Sequence, residues 1–233
     1  MNEEYEIEKP PFKVSFSQWE TYSQCPAKWK YQSVLKLPRK PPGPAAARGL
    51  DIHATVEEYI KGGDSSILHE AVKPKYIPVL DLFRNHENGD RHTEKRLAFD
   101  AEWSITSYKS PLAAVVAVLD AARYANDRTL HIGEWKSGKP KDTHADQRKL
   151  YAMFGWGAWH PKRVEVTTYY LEDTAAPARV VLESENGFMT LRQVWDARIS
   201  TMRRDDICAP RPSFGCRFCD FAKQHGGPCQ FGG

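Results

Sequence analysis

The stretch from Leu112 to Lys136 constrains the fold more than any other. An apolar run carrying Ala113, Val115, Val116, Val118 and Leu119 ends on Asp120, and after an Asn126-Asp127 turn a second run from Leu130 ends on Glu134-Trp135-Lys136. Short runs rich in β-branched side chains and bounded by turn residues predict two strands, Leu112 to Leu119 and Leu130 to Lys136, buried in a sheet and linked as a hairpin. Such a hairpin brings the Asp120 and Glu134 carboxylates to adjacent strand ends. Two carboxylates so placed suit a hard cation such as Mg2+ or Mn2+. Strand side chains alternate, so Lys136 shares a face with Glu134 while Trp135 turns to the core and leaves its backbone carbonyl free to complete a metal shell.

The rest of the chain supplies helices and further strands. Ser17-Gln18-Trp19-Glu20 has the S-x-x-E form of a capping box, which predicts a short helix toward Tyr22, interrupted at Cys25-Pro26 and followed by another through Trp29 and Tyr31. The Pro38 to Pro44 stretch reads as a basic loop. From Arg48 to Ile60 the spacing of Leu50, Ile52, Val56 and Ile60 predicts a helix with His53 and Glu57 one turn apart. Strands are expected at Arg96 to Trp103, Val164 to Leu171 and Val180 to Leu182, and helices from a Thr143 cap to about Gly157 and from Leu191 to Met202. The expected fold is α/β, a mixed central sheet flanked by helices, in one domain spanning 1–233. A hydrophobic fraction of 41% and a charged fraction of 27% agree with a globular chain. No apolar run reaches membrane-spanning length, and Met1 to Pro11 is acidic and polar, so no membrane association and a cytoplasmic location are expected. A net charge of +3 allows a nucleic-acid partner without requiring one.

The order of these residues resembles the PD-(D/E)xK nuclease superfamily, in particular its RecB-like exonuclease branch. Asp120 stands for the motif's Asp, with Leu119 in place of the usual Pro, and Glu134-Trp135-Lys136 for its E-x-K. Arg48-Gly49-Leu50-Asp51-Ile52-His53 resembles the helical histidine motif, and Gln147-Arg148-Lys149-Leu150-Tyr151 the Q-x-x-x-Y motif. The resemblance implies a restriction-endonuclease-like core and a metal held by His53, Asp120, Glu134 and the Trp135 carbonyl. It implies a catalytic set of Asp120, Glu134, Lys136, Gln147 and Tyr151. Lys136 would orient or deprotonate the attacking water and offset charge on the phosphate. Gln147 and Tyr151, an i, i+4 pair on one helix face, would contact substrate. Arg39, Lys40, Arg48, Lys139 and Lys141 are candidates to line a DNA channel. Trp19, Tyr22 and Trp29 are either stacking platforms for bases or core residues, and His131 and His144 fit no motif.

Cys216-Arg217-Phe218-Cys219, Cys229 and the distant Cys25 resemble the iron-sulfur staple of AddB-type nucleases and of the CRISPR adaptation nuclease, with a longer last gap. This implies a [4Fe-4S] cluster on Cys25, Cys216, Cys219 and Cys229, an irregular Cys-rich C-terminal lobe tied to the N-terminal helix, and a cluster-binding portion formed by 1–45 and 205–233. Zn2+ is the alternative occupant. Cys208 is left over. The implied activity is a metal-dependent DNA exonuclease acting at ends or in single strands, in recombination, repair or phage DNA processing, with a helicase or recombination partner open. An endonuclease of the same fold and a non-catalytic nucleic-acid-binding module remain as alternatives.

Overall fold

In the computed structural model, which describes residues 12–84, 91–173 and 175–231, a six-stranded sheet of order β2-β1-β3-β4-β5-β6 forms the centre. Its strands are β1 (Arg91–Phe99), β2 (Ile105–Thr106), β3 (Val115–Tyr124), β4 (Thr129–Lys136), β5 (Arg163–Tyr170) and β6 (Ala178–Leu182). All neighbours are antiparallel except β4 and β5. A parallel pair needs a long crossover, and helix α5 (Thr143–Trp159) supplies it. The other helices are α1 (Phe16–Gln24), α2 (Pro26–Trp29), α3 (Pro44–Lys61), α4 (Ile77–Arg84) and α6 (Glu185–Arg204). The sheet is therefore mixed and flanked by helices, the α/β architecture expected.

Each face of the sheet has its own core. On one, Leu119, Leu130, Ile132, Val164 and Val166 pack with Phe154 of α5 and Trp195 of α6. On the other, Ala121 and Trp135 pack with Ile52, Val56 and Ile60 of α3 and Phe83 of α4. Leu119 and Ala121 are two residues apart on one strand, yet they enter opposite cores. The pleat is broken between them. The β1–β3 register runs through Thr93↔Ala121 and resumes at Lys95↔Leu119, stepping over Glu94 and Asp120, and Glu94 has a left-handed φ of 48°.

Several boundaries differ from the sequence reading, for local reasons. The cap of α1 is Ser15 rather than Ser17: its hydroxyl accepts the Gln18 N–H at 3.3 Å, and this earlier start buries Phe16 and lets Val14 pair with Val115. The N-cap of α5 is Asp142, while the Thr143 hydroxyl donates to Glu20 Oε1 at 2.7 Å. Helix α3 begins at Pro44, since proline suits the first helical position. Strand β3 continues past Asp120 to Tyr124, and β1 starts at Arg91 in a charged stretch without apolar alternation. Helix α4, with Pro78 in its first turn, is an addition. Among the described residues no helix is long and apolar enough to cross a membrane. The expectation drawn from Met1 to Pro11 falls on residues outside those described.

Candidate active site

The site lies where β3 and β4 part. Their ladder runs from Tyr124↔Leu130 to Ala121↔Gly133 and stops one residue short of Asp120 and Glu134. The next β4 amide, that of Trp135, donates instead to Asp120 Oδ2 at 2.7 Å. A carboxylate thus takes the place of a backbone acceptor, which satisfies the amide and splays the strands. Both carboxylates sit in the wedge this opens, so Asp120 lies in mid-strand but at the end of the pairing.

Glu134 is 3% exposed. Its Oε1 accepts from Lys136 Nζ at 2.6 Å and from Gln147 Nε2 at 2.8 Å, and Gln147 in turn donates to the Tyr151 hydroxyl at 3.0 Å. Its Oε2 is buried with no hydrogen-bond partner. A buried carboxylate oxygen without a donor is costly, and a cation is the partner that such an oxygen accepts. His53 reaches the same place from α3, with Nδ1 3.7 Å from Asp120 Oδ2. The helix comes this near because Gly49, one turn earlier, has no side chain: a Cβ there would lie 3.0 Å from Ser137 Oγ, in the turn after β4. His53, Glu94, Asp120, Lys136, Lys139 and Lys141 line one open cleft.

Burial dominates the electrostatics of the site. Burial pushes the Asp120 carboxyl up to about 7, against the Trp135 amide that holds it down, and Glu134 goes up to about 7 from burial and then from Asp120. Lys136 is pulled down by burial, but the neighbouring carboxylates outweigh this and raise it, so it stays an ammonium. Burial lowers His53, which favours the neutral imidazole that ligates metals. Among the described residues no three or more His, Cys, Asp or Glu side chains form a ready-made metal-holding group. The fit to a divalent cation rests on two converging carboxylates, partly exposed Asp120 and buried Glu134, and on the orphaned Glu134 oxygen.

The remaining residues singled out in the sequence are distributed as follows. Gln147 and Tyr151 share a helix face as expected, but both are buried behind Glu134. Trp135 packs at right angles to Phe83 in the α3–α4 core. Arg39 pairs with Asp220 at 3.7 Å and Arg48 with Glu172 at 2.5 Å, whereas Lys139 and Lys141 line the cleft beside Lys136. Tyr22 and Trp29 are core residues, and Trp19 is packed between Tyr22 and Arg198. His131 lies against Glu165, whereas His144 lines the cleft with its Nδ1 3.1 Å from the Tyr170 hydroxyl.

Cys25, Cys216, Cys219 and Cys229 line one cavity, almost the whole chain apart in sequence. Backbone amides approach two of the sulfurs: Arg211 N–H to Cys25 Sγ at 3.5 Å and Ser213 N–H to Cys216 Sγ at 3.4 Å. Cys208 stands apart, buried, with its thiol donating to the Asp205 carbonyl at 3.0 Å. One acidic residue at the cleft was not singled out in the sequence: Glu94 lines it opposite Asp120. Nothing in a run such as Arg91-His92-Thr93-Glu94-Lys95-Arg96 distinguishes Glu94 from a solvated surface charge.

The family model of the PD-(D/E)XK nuclease superfamily matches residues 13–224. No curated protein matches the chain. Among solved structures, SSO0001 has a TM-score of 0.48 at 14% identity, covering 97% of this chain and 91% of its own. A candidate exonuclease from Eubacterium rectale has a TM-score of 0.46 at 11% identity, covering 97% and 92%. LHK-Exo in complex with dAMP has a TM-score of 0.41 at 14% identity, covering 82% and 87%. With the family model spanning both the splayed strands and the helices that carry His53 and Gln147, the chain belongs to the PD-(D/E)XK nuclease superfamily.

Proposed function

We propose that this chain is a Mg2+- or Mn2+-dependent deoxyribonuclease that removes nucleotides from DNA ends or single strands. The observation that carries the reading is the carboxylate pair of partly exposed Asp120 and buried Glu134, with one Glu134 oxygen left without a donor beside a lysine. His53, Asp120, Glu134 and the Trp135 carbonyl would hold the cation. When bound, it makes water nucleophilic at neutral pH and offsets charge at the phosphate. Lys136, ammonium-charged and 2.6 Å from Glu134, orients the attacking water and balances charge growing on the phosphoryl oxygens. Gln147 fixes the rotamer of Glu134 and Tyr151 fixes Gln147. Lys139 and Lys141 at the cleft supply phosphate contacts that position the strand.

The preference for ends follows from the resemblance to RecB-like exonucleases, which also supports a role in recombination, repair or phage DNA processing and an encounter with a helicase or recombination partner. The four cysteines around one cavity, with amides directed at two sulfurs, support a [4Fe-4S] cluster, with Zn2+ as the rival occupant of the same thiols. On this reading the chain is one nuclease domain, with 1–45 and 205–233 as its cluster-binding portion.

The test is degradation of end-labelled linear DNA in Mg2+ or Mn2+, in parallel with closed circular single-stranded DNA. Loss of the linear substrate alone, abolished by Glu134→Ala and by Lys136→Ala, is the expected result. Cleavage of the circle would make the enzyme an endonuclease, and activity retained in both variants would sink the site assignment.

A further inference from the structure

Glu94 occupies a position that regular strand geometry does not explain. It lies inside β1, yet its backbone is left-handed, with φ of 48°, a conformation that a β-strand does not use and that costs free energy in any residue with a Cβ. The β1–β3 register steps over this residue and the one opposite, and the one opposite is Asp120. The distortion turns Glu94 into the cleft that His53, Asp120 and Lys136 line. No other residue of β1 lines it. Glu57, one turn beyond His53 on α3, adds a like charge near Glu94 while holding an ion pair of its own with Lys61. Backbone strain and like-charge crowding with Glu57 oppose this placement, and a cation in the cleft would offset them. The buried Oε2 of Glu134, without a hydrogen-bond partner beside this cleft, is where a cation would fit.

We infer that Glu94 is a further member of the cation site, a carboxylate at the mouth of the cleft that faces Asp120 and helps hold a divalent cation from the solvent side. His53, Asp120 and Glu134 approach from the protein interior and its edge, whereas Glu94 is exposed and guards the open side. Mg2+ and Mn2+ sites usually retain water, and a carboxylate on the open side accepts hydrogen bonds from that water or replaces part of it. The inference rests on the cation-dependent reading given above.

Calorimetric titration of the full chain with Mn2+, without DNA, separates the two. Glu94→Gln is expected to weaken Mn2+ binding by about 10- to 100-fold, the usual effect of removing a supporting group at a metal site, with unfolding in EDTA unchanged. Glu94→Gly should weaken it equally while unfolding at the same or a higher temperature, since glycine takes a positive φ without strain. Glu134→Gln should abolish binding. If both Glu94 variants bind Mn2+ as tightly as the parent chain while Glu134→Gln does not, the Glu94 inference is overturned and the site reading stands. If Glu134→Gln also binds normally, the site reading falls and takes this inference with it.

Discussion

The carboxylate cleft and the cysteine cavity both gather residues far apart in sequence, but they are held in different ways. In the cleft, Asp120 and Glu134 stand on neighbouring strands of the central sheet, with the Trp135 amide, Gln147 and Tyr151 fixing their rotamers. The cavity is built from turns and short 3-10 segments, Phe214–Phe218 and Lys223–His225, beside exposed Phe214 (71%) and Phe218 (75%). Few buried apolar side chains support it beyond Phe221 and Ala222. The first site is pre-organised by the fold, and the proposed cation would serve its chemistry. The second has little apolar burial to order it, so a ligand of the kind proposed there would contribute to folding.

The largest effect should come from the cleft. Lys136→Ala is expected to lower the nuclease rate by ~10^2- to 10^3-fold with unchanged circular dichroism, because the sheet positions the remaining groups without it. A variant that also unfolds would show that this ammonium is needed for the fold and would blur the contrast.

At the cavity the order reverses, and stability should respond before chemistry. Cys219→Ser should lose the metal centre and melt lower by about 5 °C or more, while Cys208→Ser, whose thiol bonds the Asp205 carbonyl, keeps the centre. Metal analysis and the absorption spectrum near ~400 nm check the occupant, since zinc gives no such band. Equal melting temperatures for Cys219→Ser and the parent chain would mean that the lobe stands without a ligand.

The cleft should also show a pH signature. The Asp120 and Glu134 carboxyls rise to about 7 from 3.8 and 4.5, chiefly through burial, so the folded chain holds protons that the unfolded chain releases. Their contribution to stability is fully present below pH 4 and is lost as pH rises toward 7, a difference on the order of a few kcal/mol. Denaturant unfolding in EDTA at pH 5 and at pH 8 measures it. Saturating Mn2+ should flatten the dependence, and Glu134→Gln should reduce it. A stability that instead rises between those pH values in EDTA would contradict burial as the cause.

The smallest effect tests what joins the two regions. Arg39, in the loop before α3, pairs with Asp220 of the cysteine segment at 3.7 Å, mostly in solvent. Arg39→Ala should change stability by less than about 1 kcal/mol in urea unfolding. A larger loss would mean that this contact couples lobe and cleft.

How legible each region was follows from the physics of its parts. The strands carrying Asp120 and Glu134-Trp135-Lys136 were readable because alternation and β-branched runs are local, and alternation also put Trp135 in the core and Lys136 beside Glu134. His53 was readable from helical spacing within a motif. The α1 cap was misplaced because Ser15-x-x-Gln18 and Ser17-x-x-Glu20 overlap, and only the packing of Val14 and Phe16 chooses between them. Gln147 and Tyr151 were recognised as a pair on one helix face, but whether that face meets substrate or Glu134 depends on how α5 lies on the sheet. Glu94 was invisible, since its significance comes from a broken register with a strand distant in sequence.

The amino-acid sequence by itself pointed to the superfamily through motif order and to the mixed α/β layout through short-range periodicity, and it singled out Asp120, Glu134, Lys136 and His53, which the fold brings together. Only the tertiary structure decided that β3 and β4 part at Asp120, that Glu134 keeps an oxygen without a donor, and that Glu94 turns into the cleft. Those features arise from a carboxylate displacing a backbone acceptor and from packing across the sheet, and neither leaves a trace in neighbouring residues of one chain.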